Sequence, residues 1–164
     1  MVSPETSRAA LRQFVARARR RLAVYDPRLD DPEFVRLLKQ RAAAGVLVQI
    51  IGKARGLGNG DVPVRALKDP KLHVRAMIRD GTRAFVGSQS LRPLELDSRR
   101  EVGLIITNPN VARQMLEVFE RDWVASANGR KDEEDAAVQE PSRDAEPPPR
   151  AVAATIAREV GAQT

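Results

Sequence analysis

His73 is the only histidine in the chain, and Arg75 follows it after a single valine. Polar and apolar side chains alternate from Leu72 to Ile78, which predicts a strand with His73 and Arg75 on one face and an apolar set, including Val74, facing a core. A cation fixed beside the imidazole would lower its pKa and keep a ring lone pair available. A neutral imidazole next to a phosphate-binding guanidinium suits nucleophilic attack on a phosphodiester. This pair is the first candidate for chemistry.

The residues after His73 have the spacing of a known signature. His73-Val74-Arg75 is followed after four residues by Asp80, and after six more by Gly87-Ser88-Gln89-Ser90. This pattern resembles the phospholipase D superfamily signature, H-x-K-x4-D-x6-G-S-x-N. The segments Leu22 to Gly52 and Arg100 to Gly103 are also similar to that family. The resemblance therefore covers about 120 residues, the size of one ordinary domain.

The resemblance implies a role for each matching residue. His73 matches the nucleophile that forms a covalent phosphohistidine. Arg75 stands where a lysine normally binds the phosphate oxygens, Ser88 matches a serine near that phosphate, and Ser90 takes the position of a phosphate-binding asparagine. Glu101 matches a carboxylate that hydrogen-bonds the other nitrogen of the histidine ring, which would fix the tautomer and stabilise charge during attack.

The remaining matches concern the fold and the reaction as a whole. Asp80 and Gly87 match structural positions of the signature. The resemblance implies an α/β phospholipase-D-like fold, with a mixed β-sheet flanked by α-helices. It requires no metal and no cofactor.

Two departures from the signature and the count of histidines leave the activity open. Arg75 and Ser90 replace a lysine and an asparagine, and losing one charge-stabilising donor can cost on the order of 10²–10³ in rate. The family mechanism uses two histidines, one as nucleophile and one as general acid. The chain would therefore act as a homodimer, or pair with a second motif-bearing half, or be a catalytically degenerate phosphate- or lipid-binding half-domain.

The substrate class is open as well. An anionic phospholipid, cleaved or transferred as a phosphatidyl group, is the first expectation, because the resemblance is nearest to bacterial cardiolipin-synthase-like members. The alternative is a metal-independent endonuclease acting as a homodimer. Residues 1–125 carry 23 basic and 14 acidic side chains, a net charge of +9 that suits either phosphate-bearing partner.

The expected elements alternate between strands and helices within a domain of residues 1–125. The segment 88–100 is expected to be a polar loop in which Glu95 and Asp97 are solvated. Helices are expected to start at Ser3-Pro4-Glu5, at Asp31-Pro32-Glu33 and at Asn108-Pro109, and the second of them to end at Gly45. Strands are expected at Leu22 to Tyr25, Val46 to Ile51, Leu72 to Ile78, Arg83 to Gly87 and Glu101 to Thr107.

Bulk composition limits the remaining options. The chain has 164 residues and no cysteine, which excludes disulfides and thiolate metal sites and fits a reducing compartment. Its first ten residues lack the apolar run of a secretory signal, and no apolar stretch is long enough to span a bilayer. We expect a cytoplasmic protein, with peripheral contact at the inner membrane face as a second option. Residues 126–164 are expected to form a disordered acidic tail with a short helix at 151–160.

Overall fold

The protein is described from a computed structural model, which describes residues 1–138 apart from 58, 59, 61, 68 and 69, with side chains up to residue 126. The helices within this range are α1 (Ser7–Ala16), α2 (Pro32–Ala43) and α3 (Pro109–Val138), and a short π-helix spans Leu94–Ser98. The strands are β1 (Arg21–Leu29), β2 (Leu47–Ala54), β3 (Val64–Arg65), β4 (Ala76–Arg79), β5 (Arg83–Gly87) and β6 (Gly103–Ile106).

The six strands form one mixed sheet in the order β3-β2-β1-β4-β5-β6. Strands β1, β2 and β3 are parallel, whereas β4, β5 and β6 pair in antiparallel fashion. This arrangement confirms the expected α/β fold. It also places the ends of β1, β2 and β5 and the starts of β4 and β6 at one side of the sheet, which we call the motif edge.

Both faces of the sheet are covered by helices. On one face, α1 and α2 contribute Leu11 and Phe34 to a cluster that includes Met77 of β4. On the other face, Phe119 of α3 packs against a cluster that includes Ile78. Neighbouring residues of β4 therefore enter different cores, as the alternation of a strand requires.

The start of α2 is as predicted, but α1 begins later than expected. Asp31 caps α2, because its carboxylate accepts from the backbone N–H groups of Glu33 at 2.9 Å and Phe34 at 3.2 Å. By contrast, the first residues of the chain pair with the start of β6: Ser3 N–H donates to the carbonyl of Glu101 at 2.9 Å. The helix expected from Ser3 therefore starts only at Ser7.

The strand predicted from Leu72 is shorter than expected. It begins at Ala76, and the prediction that Val74 faces a core is wrong, since this side chain is 49% exposed. The neighbouring strands add only one further rung before β4: Gly87 N–H donates to the carbonyl of Arg75 at 3.1 Å, β5 ends at this glycine, and Pro27 in β1 has no N–H to donate. His73 therefore lies in an irregular segment that leads into β4.

The last helix starts at Pro109 as expected but is longer than expected. It continues to Val138, past the expected domain end at residue 125, and the disorder expected from residue 126 stays a prediction. The rest of the predicted tail, with its short helix at 151–160, lies outside the described residues. No helix in the described part of the chain is long and apolar enough to cross a membrane.

Candidate active site

The motif edge brings the predicted site residues to one side of the sheet. His73 and Arg75 precede β4, Ser88 and Ser90 follow β5, and Glu101 precedes β6. Because β4 and β6 are both antiparallel to β5, these three chain segments meet at the same edge. The positions separated by up to 28 residues in sequence thus share one surface.

The His73 side chain is exposed and lines a pocket with a cavity volume of about 230 Å³. The pocket lies between the segment before β4 and helix α3. We call it the apolar pocket, and its walls include Leu67, Pro70, Leu72, Val74, Met115 and Val118. Within the described residues, the ring of His73 makes no hydrogen bond to another side chain. The ring of the candidate nucleophile is therefore accessible to a ligand and lies beside an apolar surface.

Arg75 is not among the lining residues of this pocket, and three neighbours hold its side chain. Its Nε donates to Ser90 Oγ at 3.1 Å and lies 3.8 Å from Glu95 Oε2, and its Nη1 donates to the carbonyl of His73 at 3.2 Å. The Nη2 group makes no hydrogen bond to the part of the chain that the structure describes. The Arg75 side chain is 30% exposed, so this donor can meet a ligand.

Glu95 corrects the sequence prediction, which treated it as a solvated loop charge. Its side chain is only 5% exposed, because the π-helix packs Leu96 into the core and turns Glu95 inward. One oxygen accepts from Ser90 N–H at 2.5 Å, and the other lies 3.7 Å from Arg92 Nη1. This buried carboxylate stands between Arg75 and Arg92 and compensates their charge.

Asp26 is a second buried carboxylate, which sequence reasoning missed. Its oxygens accept from the backbone N–H groups of Leu91 at 2.7 Å and Arg28 at 2.8 Å, and it also hydrogen-bonds the Ser90 side chain. Burial raises the pKa of Asp26 above its ordinary value, although these hydrogen bonds oppose the rise. An aspartate directly after the strand predicted at Leu22 to Tyr25, and directly before Pro27, was the available signal. Ser90 is thus fixed from both sides.

Glu101 pairs with Ser88 and not with His73. The Ser88 hydroxyl donates to Glu101 Oε2 at 2.5 Å and accepts from Val102 N–H at 3.1 Å, while Arg99 Nε lies 3.7 Å from the other Glu101 oxygen. Among the residues that the structure describes, no hydrogen bond joins Glu101 to the His73 ring. The orienting role of Glu101 stays a prediction.

Gly87 has a steric reason to be glycine. A Cβ built there would lie 2.6 Å from Gln89 Oε1 and 2.7 Å from Phe85 Cζ, and Gly103 on the neighbouring strand faces the same two side chains. Any larger residue would displace the chain that carries Ser88 and Ser90.

Asp80 lies at the opposite edge of the sheet, away from His73. Its carboxylate accepts from the backbone N–H groups of Arg20 at 2.8 Å, Arg21 at 3.0 Å and Arg19 at 3.2 Å. Burial acts to raise the pKa of Asp80, but these three donors outweigh burial and hold the pKa below its ordinary value. Its contacts tie the β4–β5 turn to the segment before β1.

The comparison with protein families decides the affiliation. Residues 11–123 match the family described as "Cardiolipin synthase, PLD-like domain". The chain belongs to this phospholipase D-like family. The resemblance of the His73 signature is thereby confirmed at the level of the family. No curated protein matched the sequence. Among the described residues of this family member, no group of three or more histidine and carboxylate side chains is placed to hold a metal ion.

Solved structures with the same fold include proteins of diverse description. Nuc from Salmonella typhimurium, a phospholipase D family member, is 21% identical with a TM-score of 0.67 over 76% of this chain and 91% of its own. NucT from Helicobacter pylori is 17% identical with a TM-score of 0.66 over 76% and 94%. The polyphosphate kinase from Porphyromonas gingivalis is 19% identical with a TM-score of 0.62, over 73% of this chain and 21% of its own. At these identities the likeness concerns the fold.

Proposed function

We propose that this phospholipase D-like protein is a phosphodiesterase that acts on an anionic phospholipid through a phosphohistidine at His73. The observation that carries the proposal is the position of His73 between two kinds of surface. Arg75 and Ser90 offer donors for a phosphate group on one side, and the apolar pocket offers a place for hydrocarbon on the other. A phospholipid presents these two chemistries side by side.

The proposed reaction has two steps. A ring nitrogen of His73 attacks phosphorus and forms a P–N bond, while the P–O bond to the leaving alcohol breaks and its oxygen takes a proton from a general acid. Water or a second alcohol then attacks the phosphohistidine, gives up a proton to the same group, and releases His73. Arg75 would stabilise the charge on the phosphate oxygens, with Ser88 and Ser90 as further donors.

The general acid requires a second histidine, so we propose that two copies of the chain pair. The apolar side chains Val86, Val102 and Leu104 support this, since they are 40%, 57% and 65% exposed close to the motif edge. Val86 and Leu104 face each other across β5 and β6. A patch of this kind would cover itself in a symmetric dimer and bring two motif edges together.

A metal-independent endonuclease is the second candidate. The observation that favours it is the net charge of +9 over residues 1–125, which suits a polyanionic backbone. A chain of the same fold, the archaeal chromatin protein TrmBL2, is described as binding DNA in a novel mode, at 18% identity and a TM-score of 0.54. The same His73 chemistry would then cleave a nucleic-acid phosphodiester.

One experiment tests the catalytic proposal. Cleavage of a small chromogenic phosphodiester is measured in the presence of a metal chelator, for the full chain and for His73→Ala. We expect His73→Ala to lose at least about 10³ in rate, because it removes the nucleophile. Equal rates for the two proteins would refute the proposed enzyme activity and favour the interpretation as a catalytically degenerate binding half-domain.

A matched pair of variants tests the substrate class. Val118→Asp puts a charge in the wall of the apolar pocket, whereas Val124→Asp puts the same charge at another exposed position of α3 outside the pocket wall. We expect Val118→Asp alone to lower cleavage of phosphatidylglycerol vesicles while both variants cleave the chromogenic substrate normally. Cleavage of DNA but not of lipid, insensitive to Val118→Asp, would favour the endonuclease.

A further inference from the structure

The end of the sheet opposite the motif edge carries a concave cluster of cations. A hollow with a cavity volume of about 660 Å³ opens there between α1, the end of α2 and the β4–β5 turn. We call it the arginine hollow, and its charged walls are Arg17, Arg19, Arg41, Arg79 and Arg83. The carboxylate among its lining residues is Asp80. Arg79 ends β4 at the side of the sheet opposite the motif edge, and the hollow shares no lining residue with the pocket beside His73, so the hollow is separate from the candidate active site.

The charges in the hollow are not balanced by ion pairs. In the part of the chain that the structure describes, the side chains of Arg17, Arg19 and Arg83 make no hydrogen bond and no ion pair. Asp80 directs its carboxylate at three backbone N–H groups. Arg8, by contrast, contacts Asp31 and Asp97 at 2.6 Å each. The hollow therefore gathers several cations around one concavity without ion-pair partners of this kind.

Arg79 is a buried member of this group of cations. Only 9% of Arg79 is exposed, its Nη1 donates to the carbonyl of Phe14 at 3.0 Å, and its guanidinium lies 4.8 Å from the Phe14 ring. Burial lowers the pKa of this guanidinium, the neighbouring Arg83 and Arg17 lower it further, and Asp80 opposes the shift only in part. A bound anion would relieve both effects, because it supplies the missing counter-charge.

We propose that the arginine hollow binds a multiply charged phosphate group, either a phosphomonoester or a polyphosphate. Guanidinium groups match phosphate oxygens with paired N–H donors, which distinguishes them from lysines as phosphate ligands. Several such donors around one concavity suit a compact anion with two or more charges. The concave shape favours such a ligand over the extended backbone of a nucleic acid, which would need a stripe of cations. The binding site is independent of the reaction proposed for His73.

The test is an NMR titration of the full ¹⁵N-labelled chain with inorganic tripolyphosphate. We expect saturable shifts of the amide signals of Ala18, Thr82 and Arg83, and the same shifts in His73→Ala. Arg17→Gln combined with Arg83→Gln should weaken binding at least about tenfold, because two charge-assisted contacts are lost. The control combines Arg113→Gln with Arg121→Gln, which removes the same charge from α3, and should change the affinity less than about twofold by loss of long-range attraction alone.

Three results would overturn the proposal. The first is the lack of saturation at Thr82 and Arg83 up to millimolar tripolyphosphate. The second is an equal loss of affinity in the control variant, which would indicate attraction by net charge alone. The third is tighter binding of a DNA duplex than of tripolyphosphate to the same amides, which would indicate a nucleic-acid surface.

Two supporting results separate the possible sources of the phosphate. Binding of tripolyphosphate together with vesicles that contain phosphatidic acid, both lost in the Arg17 and Arg83 variant, indicates a lipid head group. Binding of tripolyphosphate without binding of these vesicles indicates a soluble ligand.

Discussion

The contacts of Asp80 allow a quantitative test of its structural role. Three backbone N–H groups donate to its carboxylate, and Asp80 itself has a positive φ of 54°. Replacing it with alanine removes all three hydrogen bonds and leaves a Cβ in a left-handed conformation. The donors lie near the surface, where water replaces part of what is lost, so we assign about 2–3 kcal/mol to the hydrogen bonds. The left-handed backbone adds less than about 1 kcal/mol, because aspartate already carries a Cβ there and only tolerates this conformation better than alanine does.

A series of three substitutions separates these two contributions. Asp80→Ala should lower the free energy of unfolding by about 2–4 kcal/mol. Asp80→Gly should be about 0.5–1 kcal/mol more stable than Asp80→Ala, since glycine adopts a positive φ without strain. Asp80→Asn keeps an oxygen acceptor and tolerates the backbone, so it should cost only about 1 kcal/mol. Urea denaturation at pH 7 measures all three.

The pH dependence of the same variants provides an independent check. Because the pKa of Asp80 is lower in the folded protein, its ionisation contributes stability above its ordinary pKa of about 3.9, and this contribution is lost as the pH falls through the folded-state value. Asp80→Asn should therefore approach the wild type in stability as the pH falls below about 4. An Asp80→Asn protein as unstable as Asp80→Ala, or a glycine variant below the alanine variant, would refute the reasoning.

Three further predictions concern the site and its supports. Gly103→Ala should lower the free energy of unfolding, measured by thermal denaturation, by about 2–3 kcal/mol, since its Cβ would lie 2.6 Å from Phe85 Cε2. Gly45→Ala should lower it by only about 1 kcal/mol, because its Cβ would meet no atom within 4 Å and only the φ of 85° is unfavourable. Equal losses in the two variants would rule out the steric argument. Burial and the 2.6 Å hydrogen bond to Asp122 raise the pKa of Tyr25, the only tyrosine, so an absorbance titration of the folded protein should show no phenolate near pH 10. The neutral phenol contributes to the free energy of unfolding below about pH 10, and this contribution should fall as the pH rises further. An ordinary titration midpoint in the folded protein would contradict the buried placement. Arg75→Lys should maintain or raise phosphodiesterase activity, and its effect should be non-additive with that of Ser90→Asn because the two side chains touch at 3.1 Å; a large loss in Arg75→Lys would indicate a different role for Arg75.

The strand and helix pattern could be predicted from the sequence because its signals are local. Asp31-Pro32 marks the start of α2, and Asn108-Pro109 marks the start of α3. The spacing of the signature around His73 identified the family, and the resemblance to that family implied the mixed sheet. These features depend on residues close together in the chain.

The contacts that correct the prediction join distant segments. Glu95 is buried because Ser90, Arg75 and Arg92 surround it, and no local pattern distinguishes it from a solvated loop carboxylate. The residue at position 74 is exposed because its neighbouring strands end, which depends on residues elsewhere in the sheet. Tertiary partners, and not intrinsic preferences, decide such positions.

The backbone pairing of Met1–Ser3 with residues 101–103 links the candidate site to a segment far away in sequence. Gly103 N–H donates to Met1 O at 3.1 Å, and Ser3 N–H donates to the carbonyl of Glu101, whose carboxylate holds Ser88. Local opening spreads along contiguous hydrogen bonds. Opening of the segment at residues 1–3 would therefore release the backbone of Glu101, so the geometry of the Ser88–Glu101 pair depends on a segment that is about 100 residues away in sequence.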